Sequence, residues 1–134
     1  MDLYAENILD HYRHPRRKGA LADASVTHRE VNASCGDTLS LSLKMEGGRI
    51  TDLAWEGDGC AISQAGMSIL GETLIGKTEQ EVAALTAADV TTLLGVPVGP
   101  RRLKCALLSL HALKNALRSC AGQAPQPWTE TLGN

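Results

Sequence analysis

The 134-residue chain has no Phe and only two Trp and two Tyr. Its core therefore has to be built from Leu, Ile, Val, Ala and Met, with Trp55 as the one large candidate plate. No segment approaches the roughly 18 consecutive apolar residues of a membrane span. The acidic start Met-Asp-Leu-Tyr-Ala-Glu also lacks the basic and apolar parts of a secretory signal. Both point to a cytoplasmic protein that meets no membrane. Neither sign of charge dominates: 13 Lys and Arg stand against 15 Asp and Glu, a balance that gives nucleic acid no electrostatic footprint.

The length suits one compact domain, so all chemistry must sit around a single core. Four cysteines in a reducing compartment point to metal ligands or reactive thiols rather than two disulfides. Local basic patches do exist at Arg13-His14-Pro15-Arg16-Arg17-Lys18 and at Arg101-Arg102. Each reads as a solvated surface or as a docking site for an acidic partner protein.

Apolar periodicity gives the elements. Tyr4, Ile8 and Tyr12, widened by Leu9, make the stripe of a first helix that Pro15 ends. Val26 to Val31 reads as an edge strand. Leu39, Leu41, Leu43 and Met45 alternate with polar residues as a half-buried strand does, and Gly47-Gly48 turns the chain into Arg49 to Glu56, its antiparallel partner. A helix opens at Cys60 and runs to about Ile75, with Gly76 just past its end. Thr78-Glu79-Gln80-Glu81 is a capping box for a helix over Val82 and Leu85. A shorter helix covers Val90 to Leu94, and a last one runs from Cys105 through Leu110, Leu113 and Leu117. The fold class is α+β, a small antiparallel three-stranded sheet with helices packed on one face. The domain is assigned to residues 1–121, and the aperiodic, proline-bearing residues 122–134 read as a C-terminal tail.

Cys35-Gly36-Asp37 precedes the first clear strand, Cys60 follows Gly57-Asp58-Gly59, and Cys105 follows a Pro/Gly loop. All three cysteines lie at element ends, where rigid scaffolds carry sites. A helix N-terminus favours the thiolate, which predicts lowered pKa values for Cys60 and Cys105. Three thiolates and the Asp37 carboxylate would complete a tetrahedral set for zinc, or hold iron while sulfide is added. Gaps of 25 and 45 residues match no short zinc pattern and there is no C-x-x-C, so spacing alone leaves three buried structural cysteines as an equal reading. Cys120 lies 15 residues past Cys105, about 22 Å along one helix, too far to share the site. His11, His14, His28 and His111 read as surface or hydrogen-bonded residues. Ser63 and Ser109 have no paired base that would make either a nucleophile.

These residues resemble the U-type iron-sulfur assembly proteins, namely IscU, SufU and the N-terminal part of NifU. Asp10-His11-Tyr12-Arg13-His14-Pro15-Arg16 followed by Gly19 looks like the family's opening motif. Ser34-Cys35-Gly36-Asp37, Glu56-Gly57-Asp58-Gly59-Cys60 and Leu103-Lys104-Cys105 look like its three ligand loops. The resemblance implies a SufE/NifU-like fold, with Cys35, Asp37, Cys60 and Cys105 as ligands of zinc or of a transient cluster, 2Fe-2S in type. Lys104 stands where IscU proteins place a histidine, and Val96-Pro97-Val98-Gly99-Pro100-Arg101 replaces their chaperone-binding Leu-Pro-Pro-Val-Lys. The strings around Cys60 and Cys105 are similar to SufU, whereas the short run from Asp89 to Pro100 leaves no room for the insertion SufU proteins usually carry.

By that resemblance the protein accepts persulfide sulfur from a cysteine desulfurase, with Cys35 and Cys105 as rival acceptors. It then builds a cluster on the three thiolates and hands it to acceptor or carrier proteins, Asp37 being the labile arm. The alternatives are a zinc-dependent sulfurtransferase that activates the desulfurase without holding a cluster, and a domain whose zinc is structural. Desulfurase docking is assigned to Arg16, Arg17 or Lys18.

Overall fold

The alternating leucines line one buried face, as their spacing predicts. β2 (Asp37–Glu46) is the middle of a three-stranded antiparallel sheet, between β1 (Val26–Asn32) and β3 (Arg49–Asp58). Leu39, Leu41 and Leu43 are at most 1% exposed, and burying each contributes about 1.5–3 kcal/mol. The structure, a computed structural model, describes residues 3–133.

Glu46 pairs with Arg49 across Gly47 and Gly48, whose φ values are 59° and 75°. This is the positive-φ pair that a two-residue hairpin turn demands. Lys44 pairs with Asp52 and Met45 with Ile50, so Thr51 is the extra residue of a bulge. The bulge lets Ile50 and Leu53 both face the core although they are three residues apart.

The helices cover the leucine face. α2 (Ala61–Leu74) is buried all round through its middle, from Ser63 to Gly71, because it lies among α1 (Leu3–Arg13), α5 (Leu103–Cys120) and β3. α1 is rotated from the expected stripe: Ile8 and His11 are buried, whereas Leu9 and Tyr12 are exposed. The side chain of Tyr4 lies outside the described residues. His11 can turn inward because its Nδ1 bonds the Ser68 hydroxyl at 2.7 Å and its Nε2 lies 3.3 Å from Glu72, which leaves no unsatisfied ring nitrogen.

The predicted capping box starts α3 (Glu79–Ala83). A second, Thr86 with Asp89, starts α4 (Ala87–Leu94) three residues earlier than its apolar residues suggest. Residues 122–133 include one short helix, α6 (Trp128–Leu132), which docks on α5. The Trp128 ring stacks on His111 with centroids 4.0 Å apart, and His111 Nδ1 bonds the Thr131 hydroxyl at 2.6 Å. Five residues between Pro127 and Gly133 are too few to display a period. No helix among the described residues is long and apolar enough to cross a membrane.

Candidate metal centre

Three of the four predicted ligands converge. Cys35 sits in the turn between β1 and β2, which is closed by hydrogen bonds from the Cys35 and Gly36 N–H groups to the Asn32 carbonyl, at 3.2 and 2.8 Å. Gly36 takes φ 74° there, a left-handed conformation that suits glycine. The next residue, Asp37, opens β2 and is 1% exposed. Cys105 is the third residue of α5 and is 3% exposed. The Sγ atoms of Cys35 and Cys105 and a carboxylate oxygen of Asp37 all lie within 4.8 Å of one another. The Cys105 thiol donates to Cys35 Sγ at 3.2 Å.

Cys60 joins this group through its backbone. It is the N-cap of α2, and its N–H donates to Asp37 Oδ1 at 2.9 Å. Its thiol is exposed and lies outside the compact three-atom group. Gly59, with φ 150°, makes the approach possible, since a Cβ there would run into the Asp37 carboxylate. Asp37 Oδ2 is buried and has no hydrogen-bond partner. A buried carboxylate oxygen with nothing to accept from is costly unless a cation satisfies it. Two thiols beside that oxygen, with a third near, are the donor chemistry of zinc and of iron-sulfur centres. The residues fit such a group.

Burial reverses one expectation about the thiols. Desolvation raises the pKa of Cys105 above the ordinary 9.0, and the adjacent Cys35 sulfur, the Asp37 carboxylate and the negative potential of Cys60 push the same way. These effects outweigh the N-terminal dipole of α5, so without a cation Cys105 is held as a thiol. Cys120 ends the unbroken α5, exposed and remote. Among the histidines, His28 bonds Glu30 at 2.9 Å, and His11 and His111 are engaged as described.

Sequence reasoning passed over Asn32. It is 1% exposed, pairs with Asp37 in the β1–β2 ladder, and its Nδ2 donates to Cys105 Sγ at 3.6 Å. In sequence its one mark is an Asn three residues before a candidate ligand, just past the expected edge strand; its burial at the end of β1 belongs to the fold. Cys35 also borders a recess of ≈250 Å³, lined by Asn32, Arg101, Leu103, Lys104 and Leu132 among others.

The family model described as the NifU-like N terminal domain matches residues 3–125. The chain belongs to this family. Among its relatives, the zinc-dependent sulfurtransferase SufU of Bacillus subtilis is 33% identical over 132 residues, covering 86% of this chain and 89% of that protein. The iron-sulfur cluster assembly scaffold protein IscU of Thermotoga maritima is 35% identical over 132 residues, covering 87% and 93%. The crystal structure of the N-terminal part of a nitrogen-fixing NifU-like protein from Brucella abortus matches with a TM-score of 0.75 at 27% identity, covering 90% of this chain and 96% of that one. The α+β architecture of this NifU-like domain is thus shared by a solved structure.

Proposed function

We propose that this NifU-like protein is an iron-sulfur cluster assembly scaffold that takes sulfur from a cysteine desulfurase and builds the cluster at Cys35, Asp37, Cys60 and Cys105. The observation that carries this reading is the convergence of Cys35 Sγ, Asp37 and Cys105 Sγ within 4.8 Å. The scaffold and sulfurtransferase relatives support it. Zinc, when resident, would be held by these four residues and would supply the positive charge that keeps their thiols ionised.

Exposure separates the two candidate sulfur acceptors. Cys35 is exposed beside a recess large enough to admit part of a partner, whereas Cys105 is buried. Sulfur acceptance is therefore assigned to Cys35. Its thiolate attacks the outer sulfur of the donor's persulfide; the donor's S–S bond breaks, the donor leaves as a thiolate, and Cys35 carries the new persulfide, with no external oxidant or reductant. Releasing that sulfur as sulfide takes two electrons, supplied by an external thiol or ferredoxin-class reductant and leaving Cys35 as a thiolate again; iron and sulfide are cargo, and the product is a cluster of the 2Fe-2S type.

Arg16 and Arg17 are paired within the fold, to Asp10 at 2.6 Å and Asp52 at 3.0 Å, and the Lys18 ammonium lies over Trp55. Arg101 and Arg102 are exposed at the mouth of the third ligand loop. They are the better placed cations to receive an acidic partner face.

The test is anaerobic incubation with a cysteine desulfurase and cysteine, then with ferrous iron and a thiol reductant. Peptide mass spectrometry after the first step should find one added sulfur on Cys35, and absorption after the second should report a visible cluster that C35S, C60S and C105S each abolish. Zinc retained with sulfur transfer but no cluster would replace the scaffold reading with the sulfurtransferase one. Intact activity in all three variants would end both.

A further inference from the structure

We infer that Asn32 is a positioning residue of this centre, whose side-chain amide holds the Cys105 sulfur by an N–H···S hydrogen bond and so sets that ligand's orientation and the charge it carries. The inference rests on the ligand assignment proposed above.

Asn32 bonds both loops bearing the converged thiols. Its main-chain carbonyl accepts from the N–H groups of Cys35 and Gly36, which shapes the turn that presents Cys35. Its register partner across β1–β2 is Asp37. Its side chain reaches across to α5 and donates from Nδ2 to Cys105 Sγ at 3.6 Å, a contact spanning 73 residues of chain. With 1% exposure, Asn32 has no water to bond in place of these partners. A buried amide of this kind is kept only when its hydrogen bonds are made.

The direction of the bond matters chemically. Cys105 has two hydrogen-bond neighbours among the described residues. Its own S–H points at Cys35, and Asn32 points an N–H at it. Once the thiol proton is lost on loading, Cys105 turns from donor to acceptor, and the Asn32 amide is already aimed at the lone pairs of the thiolate. An amide N–H on a ligating sulfur draws charge away from it and fixes its direction, as hydrogen bonds to the sulfurs of thiolate-held centres do. Cys35 Sγ and Cys60 Sγ, both exposed, receive no such donor among the described residues. The three thiolates are consequently unequal: Cys105 is the anchored one, and Cys35 is free to exchange.

The experiment uses the full chain loaded with Co²⁺, whose thiolate charge-transfer band reports the electron density on the ligating sulfurs. N32L keeps the branching of the side chain and the main-chain carbonyl and removes the amide. The band of N32L should move to longer wavelength, because a sulfur that has lost its N–H gives up charge more easily, and the affinity measured by chelator competition should fall by about 10- to 100-fold. A purely structural role would lower affinity and leave the band in place. An unshifted band in folded, Co²⁺-loaded N32L overturns the inference while leaving the ligand assignment intact. The absence of any thiolate band in the parent protein overturns both. If N32L does not fold, the parent loaded with ¹¹³Cd decides by NMR: through-bond coupling of the metal to one Asn32 side-chain amide proton is the expected result, and its absence is the refuting one.

Discussion

Replacing Gly59 by Ala should damage the centre far more than replacing Gly36 by Ala, although both glycines flank a proposed ligand cysteine and both have positive φ. Gly36 has φ 74° and open space where a Cβ would go, so alanine there meets only the left-handed backbone penalty of about 1–2 kcal/mol. Gly59 has φ 150°, and its Cβ would collide with the carboxylate of Asp37. Asp37 is 1% exposed and cannot step aside. Backbone strain of about 1–3 kcal/mol then adds to loss of the Cys60 N–H bond to Asp37 Oδ1, about 1.5–3 kcal/mol for a charged acceptor. The sum is about 3–6 kcal/mol. At about 3 °C per kcal/mol for a domain of this size, thermal melts followed by circular dichroism should fall by about 3–6 °C for G36A and by about 9–18 °C for G59A. Zinc affinity, read by competition with a chromophoric chelator, should drop sharply in G59A and little in G36A. Equal losses in the two variants would refute the claim that Gly59 is selected by the approach of Asp37.

The metal-free protein should be most stable between about pH 6.5 and pH 9. Burial raises the Cys105 pKa from 9.0, so above pH 9 the unfolded chain sheds a proton the folded one keeps and stability falls; burial lowers those of His11 and His111 from 6.5, so below pH 6.5 the unfolded chain binds more protons and stability falls again. Melts across pH check both limbs, and H11Q with H111Q should flatten the acid one. W128A removes the ring stacked on His111 and should cost about 1–3 kcal/mol, with limited proteolysis then cutting after residue 121. C120S, at the far end of α5, should leave zinc stoichiometry and cluster yield unchanged, as measured by metal analysis and absorption.

The strands were readable because a two-residue period over Thr38 to Met45 admits one buried face, and Gly47-Gly48 admits one kind of turn. The first helix was readable as a helix, yet its buried face was misjudged. His11 looks polar in sequence, and only Ser68 and Glu72, brought up by α2, make its burial affordable. The start of α4 was hidden because the first large apolar residue past the Thr86 cap is Val90, four positions on.

At the centre, the sequence by itself named the proposed ligand types, their order and the distance that separates Cys120 from Cys105, since motif residues and helix rise are local properties. Tertiary structure decided how unequal the ligands are. Burial held Cys105 as a thiol, left Cys35 exposed beside a recess, and tied Cys60 to Asp37 through its backbone. It also brought Asn32 to the Cys105 sulfur. These differences come from desolvation and from contacts between residues 23 to 73 positions apart, and such contacts have no trace in local spacing.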